Sequence, residues 1–102
     1  MILSIVDRIV LLNILPKEGN HITLRIVSDL RSRLSFSEEE LAKAEFIVSE
    51  SGTKWKNDIE SEIEIGPKAF SLIFNSLESL NRQGKLTLEH LPLYDRFVTD
   101  KD

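Results

Sequence analysis

The sequence predicts an α+β fold: helices at the amino end, a small antiparallel three-stranded sheet, and a long plus a short helix at the carboxy end. Three observations carry this reading. Apolar residues recur at helical spacing over 4–44 and again over 67–97, the period falls to two between 46 and 65, and capping residues or Gly-Pro stand where each helix should begin. With 102 residues, 41% hydrophobic, the chain suits a single domain, 1–102, with one core.

Ser4 followed by Asp7 forms a capping-box pattern, so a first helix starts there and stops before Pro16 and Gly19. On a 100° wheel only Ser4, Asp7, Arg8 and Asn13 are polar, and apolar residues wrap most of the circumference. Such a helix must be covered on several sides. It is either the central helix of the monomer or partly covered by another chain, through residues such as Val6, Ile9 and Val10. The second helix runs from Asn20 or Ile22 to Leu34 and buries Ile26, Val27, Leu30 and Leu34. Ser37 with Glu40 is another capping box, opening a short helix through Leu41 to about Ala44, with three glutamates at its positive end.

Phe46 and Val48, then Ser51-Gly52, then Trp55 between Lys54 and Lys56 predict a β-hairpin. A Ser51-Gly52 loop sets Val48 opposite Trp55, with both lysines on the other face. The next segment alternates Ile59, Ser61, Ile63 and Ile65 with Asp58, Glu60, Glu62 and Glu64. It reads as a third strand with an acidic back, in a register that pairs Lys56 with Glu60, Lys54 with Glu62 and Trp55 with Ser61. Gly66-Pro67 starts the clearest helix, whose stripe is Ala69, Phe70, Ile73, Phe74, Leu77 and Leu80, and Gly84 ends it. Thr87 caps a last helical segment that Pro92 is expected to break into one turn followed by a short helix, and Thr99 to Asp102 are expected to fray.

Composition narrows the function classes. The chain has no cysteine, which excludes disulfides and thiolate zinc sites and fits a reducing cytoplasm. The apolar amino end lacks a basic leader and a cleavage site, so it is not read as a signal peptide, and it is too short to span a bilayer; no membrane association is expected. Net charge is −4, but residues 1–35 carry five cations against three acids, a net +2, which leaves −6 for the remainder.

The four alternating carboxylates suggest a cation or acid/base site only by composition. Same-face residues two apart on a strand lie about 6.8 Å apart, whereas Ca²⁺ or Mg²⁺ needs several oxygens within about 2.0–2.6 Å. His21 and His90 sit in no ligand pattern, no nucleophile elbow is present, and the four glycines are too scattered to cradle a phosphate. No catalytic residue, metal site or cofactor is therefore expected.

Helix, helix, short helix and hairpin in that order resemble a winged helix, which makes a divergent nucleic-acid binder using Arg25, Arg31, Arg33 and Lys54 the alternative reading. Its third helix, however, would offer Glu38, Glu39, Glu40 and Glu45 to phosphate, which disfavours nucleic acid. Trp55 flanked by lysines is a further candidate contact, either as a stacking platform or as an inward residue on an alternating strand.

Two stretches, Glu62-Ile-Glu-Ile-Gly-Pro67 leading into the long helix and Gly84-Lys-Leu-Thr-Leu-Glu-His-Leu-Pro-Leu-Tyr-Asp-Arg-Phe97, resemble small uncharacterised proteins of bacteriophage and prophage origin. The likeness implies a bacterial cytoplasm and an accessory role, and it carries over no catalytic residue. The leading expectation is a non-enzymatic binding protein acting through protein contacts or self-association as a homodimer, with Val6, Ile9, Val10, Lys54, Trp55 and Lys56 as candidate interaction residues.

Overall fold

Side-chain caps set where the helices begin. In the computed structural model, which describes residues 1–99, Ser4 Oγ accepts the Asp7 N–H at 3.2 Å and Asp7 returns the bond to the Ser4 N–H at 3.1 Å. Ser37 and Glu40 repeat the exchange at 3.1 Å each way, and Asn20 Oδ1 accepts the Thr23 N–H at 2.8 Å. Each cap satisfies an orphan helix donor, worth about 1 kcal/mol. The elements in order are β1 (Ile2–Ser4), α1 (Ile5–Ile14), α2 (His21–Leu34), α3 (Glu38–Ala44), β2 (Ile47–Ser49), β3 (Gly52–Lys54), β4 (Glu60–Glu62) and α4 (Pro67–Arg82). A 3₁₀ turn (Leu88–His90), α5 (Leu91–Tyr94) and a π-helical turn (Asp95–Thr99) follow.

The fold is α+β, with its strands in two antiparallel pairs instead of one sheet of three. β4 does not join the hairpin. It pairs with β1, setting Ile2 against Glu62, Leu3 against Ser61 and Ser4 against Glu60, so the expected Lys54–Glu62, Lys56–Glu60 and Trp55–Ser61 pairings do not form. Burial accounts for the choice: the pairing with β1 closes over Leu3, fully buried, and Ile63, while Ile2, Glu60 and Glu62 share the solvent face. The expected alternation of β4 holds, with Ile59, Ser61, Ile63 and Ile65 inward.

The hairpin register differs from the sequence expectation by two residues. The turn is Glu50-Ser51, Gly52 leaves it at φ 119°, and Val48 lies opposite Thr53. A slip of two keeps every side chain on its face, so Trp55 still points with Val48 and Thr53. Phe46, one step down the strand, takes the place beside Trp55.

α1 is the central helix. It packs on α2, α4 and β1, and buries Ile5, Val10, Leu11 and Leu15 in the core with Leu30, Leu34, Ile73, Leu77, Leu93 and Phe97. That position explains why so much of its circumference is apolar. Two of its residues depart from the helical wheel: Val6 stays 43% exposed, and Arg8 is only 1% exposed.

At the carboxy end, Phe70 of α4 meets Phe97 at 5.0 Å between ring centroids. The last segment is divided as expected into one turn followed by a short helix, α5, with Pro92 in the first turn of α5, where its missing N–H is an orphan position. Thr99 closes the last turn; the expected fraying of residues 100–102 lies outside the described residues. Among the described residues no helix is long and apolar enough to cross a membrane.

Candidate functional site

An open groove of about 570 Å³ lies between α1 and the β2–β3 hairpin. Val6, Ile9 and Val10 of α1 form one wall, Val48, Thr53 and Trp55 of the hairpin form the other, and Phe36 and Phe46 line it between them. Glu89, from the 3₁₀ turn, is its one charged lining residue. Four of the six residues expected to make contacts, Val6, Ile9, Val10 and Trp55, are thus brought together. Lys54 and Lys56 are not in the groove wall; both are exposed, Lys54 at the end of β3 and Lys56 just beyond Trp55.

The aromatic residues are fixed from below by the buried arginine. Arg8 Cζ lies 4.0 Å from the Phe36 ring centroid, Phe36 meets Phe46 at 5.0 Å and 54°, and Phe46 stacks on Trp55 at 5.7 Å and 26°. The stack runs from the core to the surface. Trp55 is oriented at its far edge, where Nε1 donates to Asp58 Oδ1 at 2.9 Å. Such stacked and tilted contacts add about 0.5–1.5 kcal/mol each beyond their buried area.

Arg8 itself has every donor engaged. Nε donates to Leu34 O at 3.0 Å and Nη2 to Ser35 O at 2.6 Å, which satisfies two carbonyls at the end of α2. Nη1 and Nη2 hold the two Glu40 carboxylate oxygens, and Nη1 also reaches Ser61 Oγ at 3.5 Å. Ser61 in turn donates to Glu40 at 2.7 Å. Glu40 is held well below the usual carboxylate range, at about 2, first by the Arg8 hydrogen bond and then by Ser61 and the Ser37 N–H, against an opposing effect of burial. This cluster ties α1, α2, α3 and β4 together, with every donor of its buried arginine engaged.

The hairpin is anchored at its base by the end of α3. Glu45 turns left-handed at φ 55°, and Ala44 O accepts the N–H groups of Lys56 and Asn57 at 2.9 and 3.1 Å. Asn57 Nδ2 then donates to Lys43 O and to Glu45 Oε2, both at 3.0 Å. Its outer part is free: β2 and β3 are exposed throughout, with Val48 80% and Ile47 52% exposed.

The three arginines of the nucleic-acid reading are not assembled into one surface. Arg25 and Arg33 line a depression of about 520 Å³ between α2 and the start of α4, where Arg33 pairs with Asp29 at 3.0 Å and Glu64 at 3.2 Å, and both partners raise its pKa. Arg25 Nε donates to His21 Nε2 at 3.3 Å. Arg31 lies on a different side, beside Pro16, Lys17 and Leu24. α3 presents Glu38 and Glu39 to solvent, with Lys43 engaged by Glu39 at 3.1 Å.

The acidic strand also disperses: Glu62 holds the Met1 ammonium at 2.8 Å and Glu64 holds Arg33. Among the described residues no group of three or more His, Asp or Glu is placed to hold a metal ion. His90 serves as a cap, its Nδ1 accepting the Thr87 N–H at 2.9 Å.

Sequence reasoning missed Phe36, Phe46 and Glu89 as groove residues, and Arg8 as a buried one. For Phe36 a signal existed, since an apolar residue just before an N-cap commonly packs on its own helix as a hydrophobic staple. Glu89 carries no such mark. No protein-family model, curated protein or solved structure matches this sequence.

Proposed function

We propose that this chain is a non-enzymatic binding protein of accessory type that acts through protein contacts, with the groove between α1 and the hairpin as its contact surface. One observation supports this most: seven apolar or aromatic side chains converge on one open groove, whereas Arg8 with Glu40 and Arg33 with Asp29 and Glu64 are engaged in their own ion pairs. Aromatic residues in a concave patch are the usual anchors of protein interfaces, and their rigidity limits the entropy lost on binding. A chain without cysteine, and so without disulfides, fits action in a reducing cytoplasm.

The test compares the wild-type chain with Val6→Asp and Val48→Asp as bait. Both positions are exposed enough to accept a carboxylate without unfolding the core. Partners retained by wild type and lost from both variants, with circular dichroism unchanged, are the expected result. Equal retention by all three chains would move the contact surface elsewhere.

A further inference from the structure

Among the described residues three capping boxes open helical segments, and they differ in the side chain that closes them. Asp7 closes the first and Glu40 the second, each carboxylate accepting the N–H of its N-cap serine. His90 closes the third: its Nδ1 accepts the Thr87 N–H at 2.9 Å and lies 3.2 Å from Thr87 Oγ1. Glutamate or glutamine commonly fills this position of the box. A backbone N–H can only donate, so Nδ1 carries no proton while the bond is made. A carboxylate remains an acceptor down to about pH 4, whereas an ordinary imidazole takes up its second proton near pH ~6.5. The third box alone is thus closed by an acceptor that turns into a donor close to neutral pH.

The segment that this box opens is held unevenly. The 3₁₀ turn Leu88–His90 runs directly into α5 and the π-helical turn, where Leu93 and Phe97 are buried in the core. At its start no residue is buried, and Leu88 is 84% exposed. That loosely held start is what sets Glu89 in the groove wall, with Val6, Ile9 and Val10 of α1. The charged and titratable groups around the turn leave the imidazole to Thr87. Lys85 precedes the turn, Glu89 lies within it, and Asp95 follows α5. Tyr94 of α5 is bound to Glu78 of α4, and Asp7 of α1 is paired with Arg96. None of these, nor Arg82 at the end of α4, makes an ion pair or side-chain hydrogen bond with His90.

We propose that His90 is a pH-sensitive latch on one side of the groove. With a neutral imidazole the turn is closed and Glu89 stands in the groove wall. Protonation sets a proton on Nδ1 against the Thr87 N–H, which opens the turn and takes Glu89 out of the wall. The latch goes beyond the reading of the groove as a contact surface, and only its effect on a partner depends on that reading.

Nuclear magnetic resonance on the isotope-labelled chain, titrated from about pH 7.5 to about pH 5, tests it. The His90 ring and the Thr87 amide proton should share one midpoint, the amide moving upfield as its acceptor is lost. The methyl resonances of Val6 and Ile9 in the groove wall should move with them. His90→Gln keeps an acceptor at the closing position and has nothing to titrate, so there Thr87 and both methyl sets should hold still. His90→Ala should give the low-pH positions at both ends of the range. His21→Gln removes the other histidine and should leave the transition unchanged. A Thr87 amide that ignores the His90 titration overturns the latch, as do groove methyls that stay still through it or the same transition in His90→Gln. If the latch titrates as described but Val6→Asp and Val48→Asp lose no partner, the groove reading falls and the latch stands. If those variants lose a partner while Thr87 ignores His90, the latch falls and the groove reading stands.

Discussion

Glu40 takes both terminal nitrogens of Arg8, at 2.5 and 3.2 Å, in a pair whose arginine is 1% exposed and whose carboxylate is 22% exposed. The pair matters less for its own attraction than for what it leaves behind when broken. Burying two charges costs about as much as their attraction returns, but removing one partner strands the other.

Arg8→Met should therefore destabilise the fold by about 3–5 kcal/mol, since Leu34 O, Ser35 O and Glu40 all lose their donor. Arg8→Lys should recover little of this, because an ammonium cannot reproduce the planar fork. Adding Glu40→Gln to Arg8→Met should cost less than the sum of the single changes. Urea unfolding of the four chains reads the coupling directly, and strict additivity would show that the two residues act independently.

The same pair sets an acid limit. The folded carboxyl of Glu40 titrates at about 2, below its unfolded value of about 4.3. A depressed folded pKa means stability that is complete above the unfolded value and lost as pH falls towards the folded one. Wild type should thus exceed Glu40→Gln in stability at pH 6, and the gap should close between pH 4.5 and pH 2. A gap that is constant across that window would place the contribution of Glu40 outside its charge.

Tyr94 donates to Glu78 Oε1 at 2.5 Å and accepts from Asn81 Nδ2 at 3.2 Å, and its pKa is raised, chiefly by the Glu78 hydrogen bond. As the only tyrosine it can be followed by ultraviolet absorbance without ambiguity. Its ionisation should come later than that of a free phenol, and Glu78→Gln should bring it back towards the ordinary value. The stabilisation it brings is present below the unfolded pKa and disappears as pH rises through the folded one. An identical titration in the variant would sever the link.

Gly84 closes α4 at φ 68°, and nothing lies within 4 Å of the place a Cβ would occupy. Gly84→Ala should cost about 1–2 kcal/mol from backbone strain alone. Gly66, the N-cap of α4, has φ −75° and makes no side-chain cap. Gly66→Ser should raise stability by a few tenths of a kcal/mol. Thermal melts of the pair distinguish a conformational requirement from mere open space.

Two helix starts were legible because a capping box is a local exchange among four residues: Ser4 with Asp7 and Ser37 with Glu40 each contain their own partner, whereas the sequence leaves the start of α2 at Asn20 or Ile22. The inward faces of the strands were legible for a similar reason, since alternation is written into consecutive residues. What lay beyond reach was pairing at a distance. Three residues, Ile2 to Ser4, are too few to show a period, so nothing announced β1 or its claim on β4. Arg8 looked like the solvent face of α1 because its partners come from α2, α3 and β4, and no spacing rule connects them. The groove was half visible. Val6, Ile9 and Val10 stood out as surplus apolar surface, but the aromatic stack that faces them depends on how α3 swings the hairpin round, through Glu45 and Asn57.

The pairing of β1 with β4 also has a consequence for synthesis. The first strand of the chain finds its neighbour only after about 60 further residues have been made, and closing a loop of that length costs on the order of 4 kcal/mol in chain entropy. Until β4 leaves the ribosome, Leu3 lacks the strand paired beside it and Arg8 lacks its hydroxyl partner Ser61. Each nascent chain must therefore carry a sticky, incompletely covered α1 for much of its elongation, in the interval when chaperones have most to hold.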